Sequence, residues 1–231
     1  GRFRTALGDD SPARKITFAA TSCLGGVNPE WGSLSHVAGR LPDFFLLLGD
    51  TVYADGSYTT AEYRSEWSYA LAKPSLRDVC AQSSLIATWD DHEVENNWLL
   101  GVSVTEEQYA NAVAEFRSAI PMRVGPGGSG LWRKLSWGSV LDIFVLDSRG
   151  ERDIGNIISG EQLDWAVSEI GASTARFKLV LCSVHLTDHK SVMGSVEAED
   201  RWQGFPHQRV PLIEALEAAE GVLVVTGDMH F

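Results

Sequence analysis

The 231-residue chain is predicted to fold as an α/β protein, on three observations. Phe44-Phe45-Leu46-Leu47-Leu48 is an apolar run bounded by Pro42-Asp43 and Gly49, the length of a strand buried on both faces. Stretches of strand and helix pattern alternate along the chain around it, as expected of a sheet covered by helices. The run ends in Gly49-Asp50, with Tyr53 and Asp55 close behind. Open α/β sheets bind ligands outside the carboxyl ends of their strands, so chemistry is expected there.

In chain order, Lys15 to Thr21 alternates as a strand, with Ile16, Phe18 and Ala20 on one face, and ends at Ser22-Cys23. Pro29 to Arg40 is predicted as a helix with Trp31, Leu34, Val37 and Ala38 inward. After the central strand, Thr60 to Leu71 is helical, and a second piece runs beyond Pro74 from Leu76 to Cys80. Leu85 to Thr88 is a short strand running into Trp89-Asp90-Asp91-His92-Glu93-Val94-Glu95-Asn96-Asn97-Trp98. Thr105 to Gln108 has capping-box spacing and opens a helix to Ile120, where Pro121 stops it.

Gly125-Pro126-Gly127-Gly128 is taken as a loop within one domain, because strands resume at once. Leu131 to Ser136 and Val140 to Asp147 form a hairpin across Gly138-Ser139. Ser159 and Gln162 repeat the capping-box spacing for a helix that ends at Gly171. Phe177 to Ser183 is a buried strand with His185 just beyond it, and 186–206 is a long polar loop. Gln208 to Glu220 is helical with Val210, Ile213 and Leu216 inward, and Val222 to Thr226 is the last strand before Gly227-Asp228-Met229-His230-Phe231.

Composition narrows the function. The apolar share of 44% supports a full core, and no run approaches the roughly 18 apolar residues of a membrane span. The first residues, Gly-Arg-Phe-Arg-Thr, carry no signal-peptide pattern. A net charge of −12 argues against specific nucleic-acid binding, whereas local carboxylate clusters attract cations. Three cysteines cannot all pair within one chain, so at least one is free.

The strand ends decide the direction. Cys23, Asp50, Asp90 and Asp91, Asp147, His185 and Asp228 each follow a buried strand within three residues. Buried carboxylates are costly unless paired or metal-bound, so this repetition points to a polynuclear metal site. Thiolate, phenolate and imidazole suit a transition metal such as iron, and the carboxylate and amide oxygens suit a harder ion such as calcium or magnesium. Paired metals about 3.5–4 Å apart are the usual apparatus for cleaving phosphate esters, and Asp50, in the middle, is the candidate bridge.

These motifs resemble the alkaline phosphatase D (PhoD-like) metallophosphatase family. The resemblance rests on Ser22-Cys23, Gly49-Asp50-x-x-Tyr53 and the Trp89 to Asn97 block, with Leu146-Asp147-Ser148-Arg149, Asp200-x-Trp202-x-Gly204-Phe205-Pro206 and Gly227-Asp228-x-His230 behind them. It implies a metallophosphoesterase-like sandwich of two β-sheets flanked by helices, in α-β-β-α layers. It also implies a single catalytic domain over 1–231, without the family's amino-terminal sandwich domain and its last sheet segment.

The same resemblance implies Fe³⁺ held by Cys23, Asp50, Tyr53 and His230, beside Ca²⁺ held by Asp50, Asn97 and Asp228, with zinc or magnesium as substitutes. Substrate phosphate is then expected at Asp90 and Asn97. Asp91-His92-Glu93 takes the place of a superfamily motif that supplies a metal ligand and a proton donor, which makes His92 the candidate acid. The implied substrates are small phosphate esters, and the implied location is periplasmic, secreted or extracellular; oligomeric state is left open.

Other residues carry plainer expectations. Asp55 has no assigned role, and His185 is as readily a satisfied rim histidine as a ligand. His36, His189 and His207 are surface or loop residues, and Cys80 and Cys182 belong to the core. Arg149 and Arg152 are expected to pair with Asp147 or Asp153 rather than with substrate. Two rival functions stand beside the phosphoesterase: a metal-binding homologue without turnover, and a hydrolase using Cys23 as nucleophile.

Overall fold

The computed structural model describes residues 6–8, 15–25, 30–188 and 200–228. The chain divides into two compact units, Gly1–Ala6 with Arg14–Arg123, and Leu7–Ala13 with Val124–Phe231. The change of unit falls just before the glycine-rich loop at 125–128.

The first unit is built on three parallel strands in the order β1 (Phe18–Thr21), β2 (Phe44–Leu48), β3 (Ser84–Thr88). β2 lies in the middle, and its five side chains are 0–4% exposed, as the unbroken apolar run predicts. Each such burial contributes about 1.5–3 kcal/mol, so the centre of this sheet is its firmest part. Parallel strands need crossovers, and helices supply them: α1 (Leu34–Ala38) between β1 and β2, then α2 (Thr60–Leu71) and α3 (Pro74–Cys80) before β3.

α1 is shorter than the predicted Pro29–Arg40, because Trp31 sits at φ +45° and a helix cannot pass through a left-handed residue. Residue 29 lies outside the described residues. α2 keeps its predicted bounds and opens with a full capping box between Thr59 and Glu62. α3 starts on Pro74 and buries Ser75, Leu76 and Val79, so Cys80 is exposed rather than core. α4 (Glu106–Ala119) is capped by Thr105, whose hydroxyl accepts the Gln108 N–H.

The second unit has four strands, β4 (Arg133–Trp137), β5 (Leu141–Val145), β6 (Phe177–Cys182) and β7 (Val222–Thr226), in that order. β4 and β5 form the predicted antiparallel hairpin; β5, β6 and β7 run parallel through α5 (Gly160–Ala172) and α6 (Pro206–Ala218). The core gathers Phe144, Val180, Cys182, Trp202, Phe205 and Leu212. Within the predicted polar loop 186–206, residues 189–199, including His189, lie outside the described residues. Its end is not loop-like: Trp202–Gly204 is a 3₁₀ turn, and Trp202 donates to Cys182 Sγ at 3.2 Å. α6 turns Gln208, Leu212 and Leu216 inward, so Val210, expected in the core, is 47% exposed and Ile213 half-buried. His36 and His207 are exposed, each on a helix. No helix among the described residues is long and apolar enough to cross a membrane.

Strands that run parallel bring their carboxyl ends to one edge. In the first unit that edge carries Cys23, Asp50, Asp90 and Asp91; in the second it carries Asp147, His185 and Asp228. The strand-end residues noted in the sequence thus form two sets, one on each sheet.

Candidate metal centre

Asp50 is the hub of the first set. Gly49, at φ +101°, turns the chain out of β2, and Asp50 follows at φ +54°. A left-handed aspartate is uncommon and is tolerated where the surroundings impose it. Cys23 (φ +55°) and Asn97 (φ +52°) share this conformation, so three of the predicted site residues of this unit sit on strained backbone.

The side chains converge. The Cys23 thiol donates to Asp50 Oδ2 at 3.5 Å, and the Tyr53 hydroxyl donates to the same oxygen at 3.4 Å. Three of the four residues predicted for iron are therefore brought to one carboxylate; the fourth, His230, lies outside the described residues. The other oxygen, Asp50 Oδ1, is buried with no hydrogen-bond partner among the described residues. Asp50, Asp91 and His92 also offer ligand atoms within 4.8 Å of one another. A buried carboxylate oxygen with no hydrogen-bond partner among the described residues, beside thiol and phenol, is the donor set a cation would complete.

Electrostatics agree. Burial first, then the charges of Asp90, Glu93 and Asp91, push the Asp50 carboxyl up to about 10. Burial and the charge of Asp50 push the Cys23 thiol up to about 12, and the Tyr53 phenol is raised for the same reasons. Without a cation the cluster holds protons; a bound cation inverts that preference and favours the anions.

Backbone contacts set this geometry. Cys23 and Leu24 donate their N–H groups to the carbonyls of Gly49 and Asp50 at 3.2 and 2.8 Å, which ties the β1 loop to the β2 loop. A Cβ on Gly25 would lie 2.0 Å from the Tyr53 ring, so only glycine leaves that ring its place. Glu93 is fully buried and accepts three backbone N–H groups, from Asp50 (3.0 Å), Thr51 (2.6 Å) and Asp90 (2.8 Å). Burial pushes its carboxyl up to about 7 in spite of those donors. The Asn97 N–H donates to Asp91 Oδ2 at 2.6 Å, and Trp89 and Trp98 close the segment by edge-to-face contact at 6.0 Å.

Two participants escaped the sequence reading. Asp55, assigned no role there, places its carboxylate 2.8 Å from His92 Nδ1. Glu93 entered only as a motif position, not as the anchor of Asp50. Both belong to pairs more than 35 residues apart, a relation that no local spacing expresses.

In the second unit, Asp147 accepts the N–H groups of Arg149 and Gly150, and its own N–H goes to Gln162 Oε1 at 2.8 Å. The guanidiniums of Arg149 and Arg152 both pair with Asp200, a partner the sequence reading did not name. Arg149 also lies 4.0 Å from Asp228, which stands at φ +67° after β7. His185 is buried at 6% exposure.

The PhoD-like phosphatase family matches residues 18–231. The chain belongs to that family. Among curated relatives, it is 25% identical to alkaline phosphatase D of Bacillus subtilis (strain 168) over 281 aligned residues, covering all of this chain and 48% of that one. The PhoD-like fold recurs in a solved PhoD structure, at TM-score 0.84 and 23% identity over 98% of this chain and 53% of that one. A purple acid phosphatase from yellow lupin (Lupinus luteus) seeds gives 0.63 at 16% identity, over 93% and 38% of the two chains. A dimetal phosphatase from Danio rerio gives 0.57 at 11%, over 91% and 80%. This chain therefore has the two-sheet α/β fold of these phosphatases, and it spans about half the length of the curated relative it matches.

Proposed function

We propose that the protein hydrolyses small phosphate esters, monoesters or diesters, with metal ions as cofactors. The observation that carries this reading is the meeting of the Cys23 thiol and the Tyr53 hydroxyl on Asp50 Oδ2, with Oδ1 buried and without a hydrogen-bond partner among the described residues. Family membership and the names of the relatives, an alkaline phosphatase and a dimetal phosphatase, support the reaction class. Thiolate and phenolate favour Fe³⁺ at this end of the cluster, and hard oxygens such as those of Asp50 and Asn97 favour Ca²⁺ beside it; zinc or magnesium would be substitutes. When bound, such ions withdraw charge from phosphoryl oxygens and make water a better nucleophile.

The chain's own groups complete the proposal. Asp90 and Asn97 face the phosphate, Asp91 steadies Asn97 through its backbone N–H, and His92 gives a proton to the departing oxygen. Family resemblance also supports a protein that works in the periplasm or outside the cell. Cys23 as nucleophile is disfavoured, since its thiol is turned onto Asp50 among the groups that would hold the cation. The test is turnover of p-nitrophenyl phosphate and its bis ester, with elemental analysis of the same sample. Activity lost to a chelator and restored by metal supports the reading; full activity after all metal is removed, or activity abolished only by alkylation, overturns it.

A further inference from the structure

His92 is held at three points by one loop. Its Nδ1 lies 2.9 and 2.8 Å from the two oxygens of Asp55. The Tyr53 ring stacks on the imidazole, with centroids 4.0 Å apart and planes at 25°. The His92 carbonyl accepts the Ala54 N–H at 2.8 Å. Three consecutive residues after β2 therefore fix the ring's place, its plane and the proton on one of its nitrogens. A carboxylate only accepts, so Nδ1 carries the proton and Nε2 is the ring atom turned away from Asp55.

We propose that Asp55 is a positioning residue for the reaction: it holds His92 by Nδ1–H so that Nε2 meets the leaving oxygen of a bound phosphate ester. The proposal rests on the phosphoesterase reading for its chemistry. In the step, water attacks phosphorus and the bond from phosphorus to the leaving oxygen breaks, its electron pair staying with that oxygen. The oxygen takes the proton from Nε2 of the doubly protonated ring. The ring is left neutral, its remaining proton on Nδ1 and still donated to Asp55, and the proton released by the attacking water restores it. A pair as exposed as this one, 17% and 36% for the two side chains, contributes little to stability. Orientation, rather than folding energy, is what the contact supplies.

The test uses the full chain with its metals, as wild type, Asp55→Asn and Asp55→Ala. Turnover is measured on phosphate esters from p-nitrophenyl to simple alkyl leaving groups, with metal content. The His92 tautomer is read by nitrogen-15 NMR on protein loaded with diamagnetic zinc, the signal assigned by its absence in His92→Gln. The expected result is unchanged metal content, a loss within about threefold on the p-nitrophenyl ester and about 10- to 100-fold on the alkyl ester, since only a poor leaving group needs the proton. In the neutral ring, read at a pH high enough to remove one of its two protons, the remaining proton should sit on Nδ1 in wild type and move toward Nε2 in Asp55→Ala. An equal loss for every leaving group, or a tautomer unchanged by Asp55→Ala, overturns the proposal. If the wild type turns over no ester, the phosphoesterase reading fails by itself, and the tautomer comparison still decides whether Asp55 orients His92.

Discussion

The Glu93 carboxylate accepts the Asp50 backbone N–H at 3.0 Å, across 43 residues of chain. With the further N–H groups of Thr51 and Asp90, one buried side chain ties the loop after β2 to the loop after β3. Glu93→Gln keeps one accepting oxygen and turns an NH₂ toward N–H donors. Leaving buried donors unsatisfied costs about 1–3 kcal/mol. Displacing Asp50 should also weaken metal binding about 10- to 100-fold, as loss of ligand support does. Thermal unfolding and a metal titration check both, and an unchanged titration would show that the anchor does not serve the site.

Asp50 itself should be far more sensitive. Asp50→Asn removes the negative charge at the point where Cys23 and Tyr53 converge, so cations there lose their main compensation. The expected outcome is loss of bound metal and a fall in turnover by about three orders of magnitude or more. Retained metal and most of the turnover would move the centre of the site elsewhere.

Gly49→Ala tests the approach of the two loops. The added Cβ would sit 2.5 Å from Asp90 Cβ at φ +101°, so steric clash and backbone strain act together. A destabilisation of about 2–4 kcal/mol is expected. Gly32→Ala, with nothing within 4 Å of its Cβ, should stay within about 0.5 kcal/mol. Denaturant midpoints for the two variants make the comparison.

In the second unit, Asp200 joins two arginines, one wholly buried. Burial alone would raise its carboxyl, but the Arg149 and Arg152 guanidiniums outweigh that and hold it below the ordinary value. A carboxyl lowered on folding stabilises above its unfolded value near 3.8, and that stability drains away as pH falls through the folded one. Asp200→Asn removes the carboxylate that both guanidiniums share and should cost about 3–5 kcal/mol at neutral pH. The difference between wild type and Asp200→Asn should shrink below about pH 4. Unfolding midpoints across pH 3–7 measure it; a constant difference would exclude the ion pair as its source.

Local pattern was enough for the elements and for the identity of the donors. Unbroken apolar residues make β2, a capping spacing starts α4 and α5, and α2 needed only its periodicity, because each depends on neighbours within a few residues. Cys23, Asp50 and Tyr53 could be named from the sequence because strand ends of a parallel sheet share an edge. Which face of a helix turns inward was a different matter. Positions 208, 212 and 216 repeat as well as 210, 213 and 216, and contact with the sheet chose the former in α6, as it turned Cys80 outward in α3. Partners across long stretches of chain, Asp55 with His92, Glu93 with Asp50, and Asp200 with Arg149, were settled only by tertiary structure. Charge and residue type say that such a group needs a partner. Only the path of the backbone brings one within 3 Å.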